Sequence, residues 1–281
     1  MLGAGSCSAL LPRGLRRAMA RVAVLSVLAT TAGVTSLALS VAPAWASHFR
    51  AAQLSWGRLY ATTRTVSFDA TETFRRDYGQ WTQYVPNGGG RLSAPNVGDV
   101  VVDPNTQIDF GDGTVIQPWL QVTSVNAAID VMTVQAVIDS SGHDYLPSHT
   151  YASAGLYTAS ITGYARLNGP NDSPPGGHMN NPSKSMRVST AVNLAGSDLS
   201  SVQSSLPPIV DCPRNAPCNF TIPASAPPGD TVSYRLASAT EAVDLADWPG
   251  TGTFTQPTGA AVNNSGVFTW NTSGQPLAPA P

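Results

Sequence analysis

The chain has 281 residues, and only 11% of them are charged, whereas an ordinary soluble domain carries about 25%. With 15 basic and 17 acidic residues the formal net charge is −2, and without a basic excess to neutralise phosphates we expect no nucleic-acid binding. The 25 glycines and 23 prolines stay below the level of low-complexity disorder, so the composition predicts folded, turn-rich structure in one large or two medium domains.

The first 46 residues have the pattern of an export signal. They contain no Asp or Glu, and four arginines precede an uncharged stretch that ends in Ala44-Trp45-Ala46. This order of positive, apolar and small residues predicts a signal peptide over residues 1–46. The alternative is an uncleaved anchor, because residues 22–41 are long enough to span a membrane. After cleavage, 11 basic and 17 acidic residues leave a net charge of −6, and we expect no membrane span.

From residue 47 onward the sequence favours β-structure. Leu54 and Trp56, and then Val66, Phe68 and Ala70, recur at every second position, as in strands with one buried face. Further strands are predicted over residues 100–110, 120–125, 131–138, 156–167 and 186–194, with surface loops over 86–95 and 169–182. The expected fold class is all-β.

The composition divides this part of the chain into two domains. Residues 47–195 are predicted to form the first, and the Ser-rich residues 196–206, which precede Pro207 and Pro208, are predicted to be a linker. Residues 207–281 are predicted to form a second domain, with strands over 219–222, 231–236 and 267–270. Because a sandwich needs about seven strands, this domain is expected to be incomplete, either as a fragment or as a domain that a partner strand completes.

Two short motifs carry a family resemblance. The first is Asp109-Phe110-Gly111-Asp112-Gly113-Thr114, and the second begins at His149-Thr150-Tyr151 and continues to Gly155-Leu156-Tyr157. Together they resemble the PKD (polycystic kidney disease) domain, an immunoglobulin-like β-sandwich, over residues 64–194. The resemblance implies a domain in which the first motif ends one core strand and the second leads into the strand that packs opposite.

The motif residues have physical roles that fit this resemblance. Phe110 is expected to point inward, the glycines permit a backbone reversal, and Asp112 can hydrogen-bond its own turn. Tyr157 has the spacing of a tyrosine corner, in which the phenol bonds to upstream backbone. The chain departs from the family in the long stretch 115–148, which predicts an added hairpin, and in residues 47–60, which predict an added edge strand. Residues 229–236 and 266–270 resemble a partial immunoglobulin-like or cadherin-like repeat.

Cysteines and acidic residues define two further candidate sites. Cys212 and Cys218 are predicted to form a disulfide, since a metal site built on two thiols without a nearby His is a poor tetrahedral set. Calcium is the one cofactor that the sequence allows, with oxygen ligands from Asp109, Asp112, Asp139 and Asp144. The alternative is that Asp112 shapes its turn and Asp109 ends a strand. Asp69 and Glu72 are a weaker calcium candidate, and a solvated strand face is the simpler interpretation.

The sequence does not favour catalysis. His149 is the best candidate base, but adjacent residues on an extended chain point to opposite faces, so Ser148 is badly placed to serve it as a nucleophile. No nucleophile elbow, phosphate-binding loop or zinc-protease motif occurs. A structural hydrogen bond is therefore the expected role of His149.

Aromatic residues provide the remaining functional signal. A loop-rich stretch combines aromatic rings with arginine, a composition suited to stacking on sugars or docking a protein; the candidate ligand-binding residues are Phe74, Arg76, Tyr78, Trp81 and Tyr84. We therefore expect a non-enzymatic adhesion or binding module, secreted or on the surface of a bacterium, that binds extracellular protein or polysaccharide. The alternative is an accessory module of an extracellular depolymerase whose catalytic part lies outside this chain.

Overall fold

The computed structural model describes residues 48–79, 81–83, 89–137, 146–163, 166–167, 169, 180–243 and 254–275. The predicted signal peptide lies outside these ranges, as do Tyr84, Asp139 and Asp144. Among the helices in these ranges, none has the length and apolarity that crossing a membrane requires.

Residues 48–195 contain twelve of the described strands. In chain order they are β1 (Phe49–Gly57), β2 (Thr65–Arg75), β3 (Trp81–Gln83), β4 (Arg91–Leu92), β5 (Val100–Val102), β6 (Gln107–Asp109), β7 (Val115–Ile116), β8 (Trp119–Asn126), β9 (Val131–Val137), β10 (Ser148–Thr150), β11 (Leu156–Gly163) and β12 (Met186–Asn193). Short 3-10 turns at Arg76–Tyr78 and Ala127–Ile129 follow β2 and β8.

The strands form two antiparallel sheets. The first has the order β1-β2-β9-β8-β5-β3-β4, with β10 also paired to β2, and the second has the order β12-β11-β6-β7. Ser67 in β2 has Gly57 of β1 as one partner and Ser148 of β10 as another, so β10 lies on the side of β2 away from β1. Since β9 pairs with Thr71–Arg75, β9 and β10 occupy successive stretches of the same edge of β2.

The alternation of β2 explains why the sheets pack. Its inward positions 66, 68, 70, 72 and 74 are buried, while Thr65, Ser67 and Asp69 are exposed. From the second sheet, Ile108, Ala159 and Ile161 are buried in the same core. The indole nitrogen of Trp56 in β1 also donates to the carbonyl oxygen of Ala191 in β12 over 2.7 Å, which ties the two sheets together.

The predicted all-β sandwich is thus confirmed. The hairpin predicted within residues 115–148 is formed by β8 and β9, which pair antiparallel. The edge strand predicted in residues 47–60 is β1, which pairs with β2 from Phe49 to Gly57.

The second part of the chain has little regular structure among its described residues. It contains β13 (Gln203–Ser204), β14 (Pro217–Thr221), β15 (Ala224–Ser225), α1 (Ala239–Ala242), β16 (Ala261–Val262) and β17 (Val267–Asn271). β13 pairs with β15, and β14-β17-β16 form a three-stranded sheet. The predicted disulfide between Cys212 and Cys218 is present. The strand predicted over 231–236 is absent, because no described segment pairs with it.

The segment predicted to be a linker, 196–206, lies against the first domain. Arg58, at the end of β1, donates through its guanidinium to the carbonyl oxygens of Asp198 over 2.6 Å and Gly196 over 2.7 Å. The backbone nitrogens of Arg58 and Ser201 bond to the carbonyl oxygens of Leu199 and Trp56, respectively. This segment is therefore fixed along the free edge of β1.

Candidate functional site

The turn after β6 is organised by its two aspartates. Asp109 accepts a hydrogen bond from the backbone nitrogen of Gly111 over 2.7 Å, and Asp112 accepts one from that of Thr114 over 3.0 Å. Gly111 has a φ of +83°, and a Cβ there would lie 2.4 Å from the carbonyl oxygen of Thr158, so only glycine fits. Asp112 thus bonds its own turn, as the sequence predicts.

His149 joins this turn to the other sheet. Its Nε2 lies 2.7 Å from Oδ2 of Asp112, and its ring stacks on Phe110 with centroids 4.4 Å apart and planes 3° apart. The edge of the ring meets Tyr151, and the hydroxyl of Tyr151 donates to the carbonyl oxygen of Phe110 over 2.9 Å. We call the group Phe110, Asp112, His149, Tyr151 and Tyr157 the clasp, because it links β10 of the first sheet to β6 and β11 of the second.

Tyr157 completes the clasp at the start of β11. Its ring stacks on Tyr151 at 4.3 Å, next to Gly155, and its hydroxyl donates to the carbonyl oxygen of Ser153 over 3.0 Å. This is the hydrogen bond to upstream backbone that the sequence predicts for a tyrosine corner. Burial raises the pKa of Tyr151, which keeps its phenol protonated as a donor. The phenols of Tyr151 and Tyr157 and the carboxylate of Asp112 therefore all have structural partners.

Electrostatics reinforce the pairing of Asp112 and His149. Partial desolvation acts to raise the pKa of Asp112, but the hydrogen bonds from His149 and Thr114 outweigh it, and the net effect is a lowered pKa. The ionised form of Asp112 is therefore stabilised in the folded protein.

A second histidine–aspartate pair, which the sequence did not predict, lies in the core. His48, just before β1, has its Nε2 3.2 Å from Oδ2 of Asp103, and both side chains are 1% exposed. Glu72 of β2 is also fully buried, and the hydroxyl of Thr106 lies 3.4 Å from its Oε2 and 3.0 Å from Oδ2 of Asp103. We call His48, Glu72, Asp103 and Thr106 the buried acidic cluster.

Glu72 is the member of this cluster that has an unsatisfied carboxylate oxygen. Its Oε1 is buried without a hydrogen-bond partner among the described residues. Burial, and then the charge of Asp103, raises the pKa of Glu72 well above its ordinary value. The interpretation of Glu72 as part of a solvated strand face is therefore wrong, whereas Asp69 is exposed as expected. The signal was in the sequence, since Glu72 has the same parity as the inward residues Phe68 and Ala70.

The predicted aromatic binding surface is wrong for two of its residues. Phe74 is 1% exposed and Trp81 is fully buried, because both extend the core beside the buried acidic cluster. Tyr78 is half-buried and stacks on His48 at 4.0 Å. Arg76 donates to the carbonyl oxygen of Pro95 over 2.6 Å and so fixes a loop. Tyr84 lies outside the described residues.

A groove of about 630 Å³, at the connection between β1 and β2, is the main candidate for ligand binding. Its rim carries Leu59, 84% exposed, and Tyr60, 70% exposed, together with Leu146 and Leu199. Its polar residues include Ser67 and Asp69 from the outward face of β2. No motif marked this groove in the sequence, because Leu59 and Tyr60 belong to a turn that breaks the alternation.

Two charged residues line the groove, Arg58 and Asp69. The guanidinium of Arg58 donates to the carbonyl oxygens of Thr63, Gly196 and Asp198 and so shapes one wall of the groove, and Asp69 is the exposed acidic residue. Exposed aliphatic and aromatic side chains beside polar residues are typical of surfaces that bind other molecules.

Within the described ranges, no three His, Cys, Asp or Glu residues are grouped to hold a metal ion. Asp112 already uses both carboxylate oxygens, and Asp109 bonds to Gly111. Asp139 and Asp144 lie outside the described residues, so calcium binding with Asp109 and Asp112 stays a prediction.

The fold and the groove define an all-β sandwich module with a surface suited to binding. The chain belongs to the family described as Integrin beta-like protein A-E, N-terminal, which matches residues 50–195. The Integrin beta-like protein A of Dictyostelium discoideum is 31% identical over 228 residues, which cover 78% of this chain and 10% of that protein. The chain thus spans about a tenth of the length of the curated relative it matches.

A stretch of 228 residues does not fit within residues 50–195, so the similarity to this relative extends outside the family match. No solved structure matches the chain. A PKD domain is not among the matches, and the PKD resemblance therefore stays a proposal.

Proposed function

We propose that this chain is a non-enzymatic adhesion module that binds an extracellular protein, at the cell surface or in secreted form. The family and the Dictyostelium relative are both described as integrin beta-like, which supports a role in adhesion. The observation that carries the proposal is the groove, where Leu59 and Tyr60 are exposed beside a polar floor. A few residues, Tyr prominent among them, supply most of the binding energy in protein interfaces, and an exposed apolar side chain such as Leu59 can extend the contact.

Cell adhesion to a surface coated with the purified protein tests this role. Replacing both anchors, Leu59→Ser with Tyr60→Ser, should reduce adhesion by about tenfold or more, because hot-spot side chains dominate affinity. The matched control is Val97→Ser with Leu156→Ser, since these residues are 63% and 72% exposed and do not line the groove. Equal adhesion of the two double variants would place the binding surface elsewhere.

The nature of the ligand is tested by treating the cells beforehand. Trypsin should abolish adhesion if the ligand is a protein, whereas periodate, which oxidises sugars, should leave it intact. Loss of adhesion after periodate alone would favour the polysaccharide ligand that the sequence also allows.

We also propose that the first domain is PKD-like. Strands β2 and β10 face β6, β11 and β12, as B and E face C, F and G in an immunoglobulin-like sandwich, and β1 is the added edge strand. In this correspondence β3–β5 and β8–β9 are insertions that widen the first sheet. An experimental structure in which β10 left β2 and paired with β11 would contradict the correspondence.

Export is the last part of the proposal. The pattern of residues 1–46 supports a cleaved signal peptide. Amino-terminal sequencing of the protein recovered from the cell exterior should begin at Ser47. A mature protein that retained residues 22–41 would instead support the membrane anchor.

A further inference from the structure

Residues 231–236 have the character of a strand, but they pair with no other strand among the residues that the structure describes. The sequence Thr-Val-Ser-Tyr-Arg-Leu is rich in residues that favour β-structure. Positions 231, 233 and 235 are exposed and positions 232, 234 and 236 are half-buried, which is the alternation of an extended chain. We call residues 231–236 the unpaired segment.

The backbone groups of the unpaired segment have almost no partners in the described part of the chain. Within the described ranges, no backbone hydrogen bond involves any of its six residues. The carbonyl oxygen of Leu236 accepts a bond only from the side chain of Arg235. Backbone N–H and C=O groups are almost always paired in native proteins, and a row of open groups on an extended segment is a template for another strand.

The segment is held in place at both ends and in the middle. The turn from Pro227 to Asp230 precedes it, and Arg235 forms a bidentate pair with Glu241 of α1. The ring of Tyr234 packs on Gly266, where an added Cβ would lie 2.8 Å from Cζ of the tyrosine. The segment is therefore ordered in advance, which lowers the entropy cost of adding a strand.

The segment is complementary to itself in the antiparallel direction. If two copies pair about Tyr234, Val232 lies opposite Leu236 of the second copy, and Tyr234 lies opposite its equivalent. Half-buried positions then meet half-buried positions, Ser233 meets Arg235, and no like charges are opposed. A shift of one residue would place Val232 opposite the charged Arg235 and mix the two faces.

We propose that two copies of this chain associate through antiparallel pairing of residues 231–236, with the two-fold axis at Tyr234. The pairing joins the backbone groups along one edge of each copy and makes one surface serve both subunits, as in other two-fold dimers. This association uses the second domain and is independent of the groove between β1 and β2.

Sedimentation velocity over a range of protein concentrations tests the association. The protein should change from one copy to two as the concentration rises. Ser233→Pro, which removes a backbone donor within the segment, should weaken dimerisation by about tenfold or more. The matched control is Asn264→Pro, at the second position of the turn from Asn263 to Gly266, where proline is favoured. A protein that stays a monomer at every concentration overturns the proposal.

Cysteine crosslinking tests the register even if the proline variant folds poorly. In a Cys7→Ser background, mixing Ser233→Cys protein with Arg235→Cys protein should give a disulfide-linked dimer much faster than either variant alone. Formation at equal rates in all three samples would overturn the register centred on Tyr234. Retained cell adhesion by the monomeric variant would show that the groove acts separately.

Discussion

The clasp and the buried acidic cluster each contain a histidine–aspartate pair, and the two pairs differ in burial. In each, an imidazole bonds to an aspartate and stacks on an aromatic ring, Phe110 in one and Tyr78 in the other. The side chain of Asp112 is 20% exposed, whereas that of Asp103 is 1% exposed beside the unpartnered Oε1 of Glu72. We therefore expect burial, rather than the identity of the two residues, to determine how much the stability of the fold depends on each pair.

The two regions also respond to pH with opposite signs. The lowered pKa of Asp112 means that its contribution to stability is present above the ordinary value of 3.8 and is lost as the pH falls through the folded pKa. The raised pKa of Glu72 means that the folded state favours its protonated form. The stability that protonated Glu72 contributes to the folded state is fully present below the ordinary pKa of 4.5, and it is lost as the pH rises through the folded pKa.

The largest expected effect is that of Asp103→Ala. This change removes the acceptor for His48, Thr106 and the backbone nitrogen of Asn105. Breaking a buried pair should lower the free energy of unfolding by about 3 to 5 kcal/mol, measured by urea denaturation. Asp112→Ala is the matched control and should cost less than about 1 kcal/mol. Equal losses would remove the distinction between the two pairs.

Glu72→Gln should have the next largest effect, and it should stabilise the protein. The amide cannot ionise in this buried position beside Asp103, so the variant should gain about 1 to 3 kcal/mol at neutral pH. Thermal unfolding across pH should show this gain shrinking toward pH 4.5 and below, where wild-type Glu72 is protonated in both states. If the gain in the free energy of unfolding did not change with pH, the stabilisation would not come from removing a buried ionisable carboxyl group.

Tyr151→Phe should follow, because it removes the buried donor to the carbonyl oxygen of Phe110. The expected loss is about 1 to 2 kcal/mol, by chemical denaturation. Tyr157→Phe removes a more exposed bond, to Ser153, and should cost about 0.5 to 1 kcal/mol. If Tyr157→Phe cost more than Tyr151→Phe, the bond from Tyr157 to Ser153, rather than the buried bond from Tyr151 to Phe110, would be the main stabilising contact of the clasp.

The smallest effect is expected for Asp112→Asn. Wild-type stability should fall as the pH drops below 3.8, because the ionised Asp112 that His149 and Thr114 stabilise becomes protonated. The asparagine variant should lack that part of the acid loss and should differ little from wild type at neutral pH. Identical acid profiles of the two proteins would show that the pair adds nothing to stability.

The sequence predicted the local bonds of single clasp residues and missed the buried acidic cluster. Asp112 and Tyr157 bond within a few residues of themselves, to Thr114 and Ser153, as predicted, whereas the contact between Asp112 and His149 joins residues far apart in sequence and was not predicted.

The buried acidic cluster likewise brings together His48, Glu72 and Asp103, which are far apart in sequence and meet only once the strands pair. The alternation along β2 places Glu72 on the inward face, with Phe68 and Ala70. Predicting its burial would have required giving this hydrophobic pattern more weight than the charge of Glu72.

The second domain shows a different limit of the sequence. The strands predicted near β14 and β17 are present, and the predicted disulfide has formed. The pattern of residues 231–236 correctly shows the alternation of an extended chain, yet a ladder also requires a neighbour. Local pattern specifies the faces of a segment, whereas pairing depends on what the rest of the fold, or a second copy, places beside it.

The attachment of residues 196–206 to β1 has a mechanical consequence. A pull on residues 207–281 would be shared between the bonds from Arg58 to Gly196 and Asp198 and the bonds that join Arg166 to Ala242 and Asn181 to Thr255. Loss of the Arg58 bonds alone would therefore leave residues 207–281 attached to the sandwich.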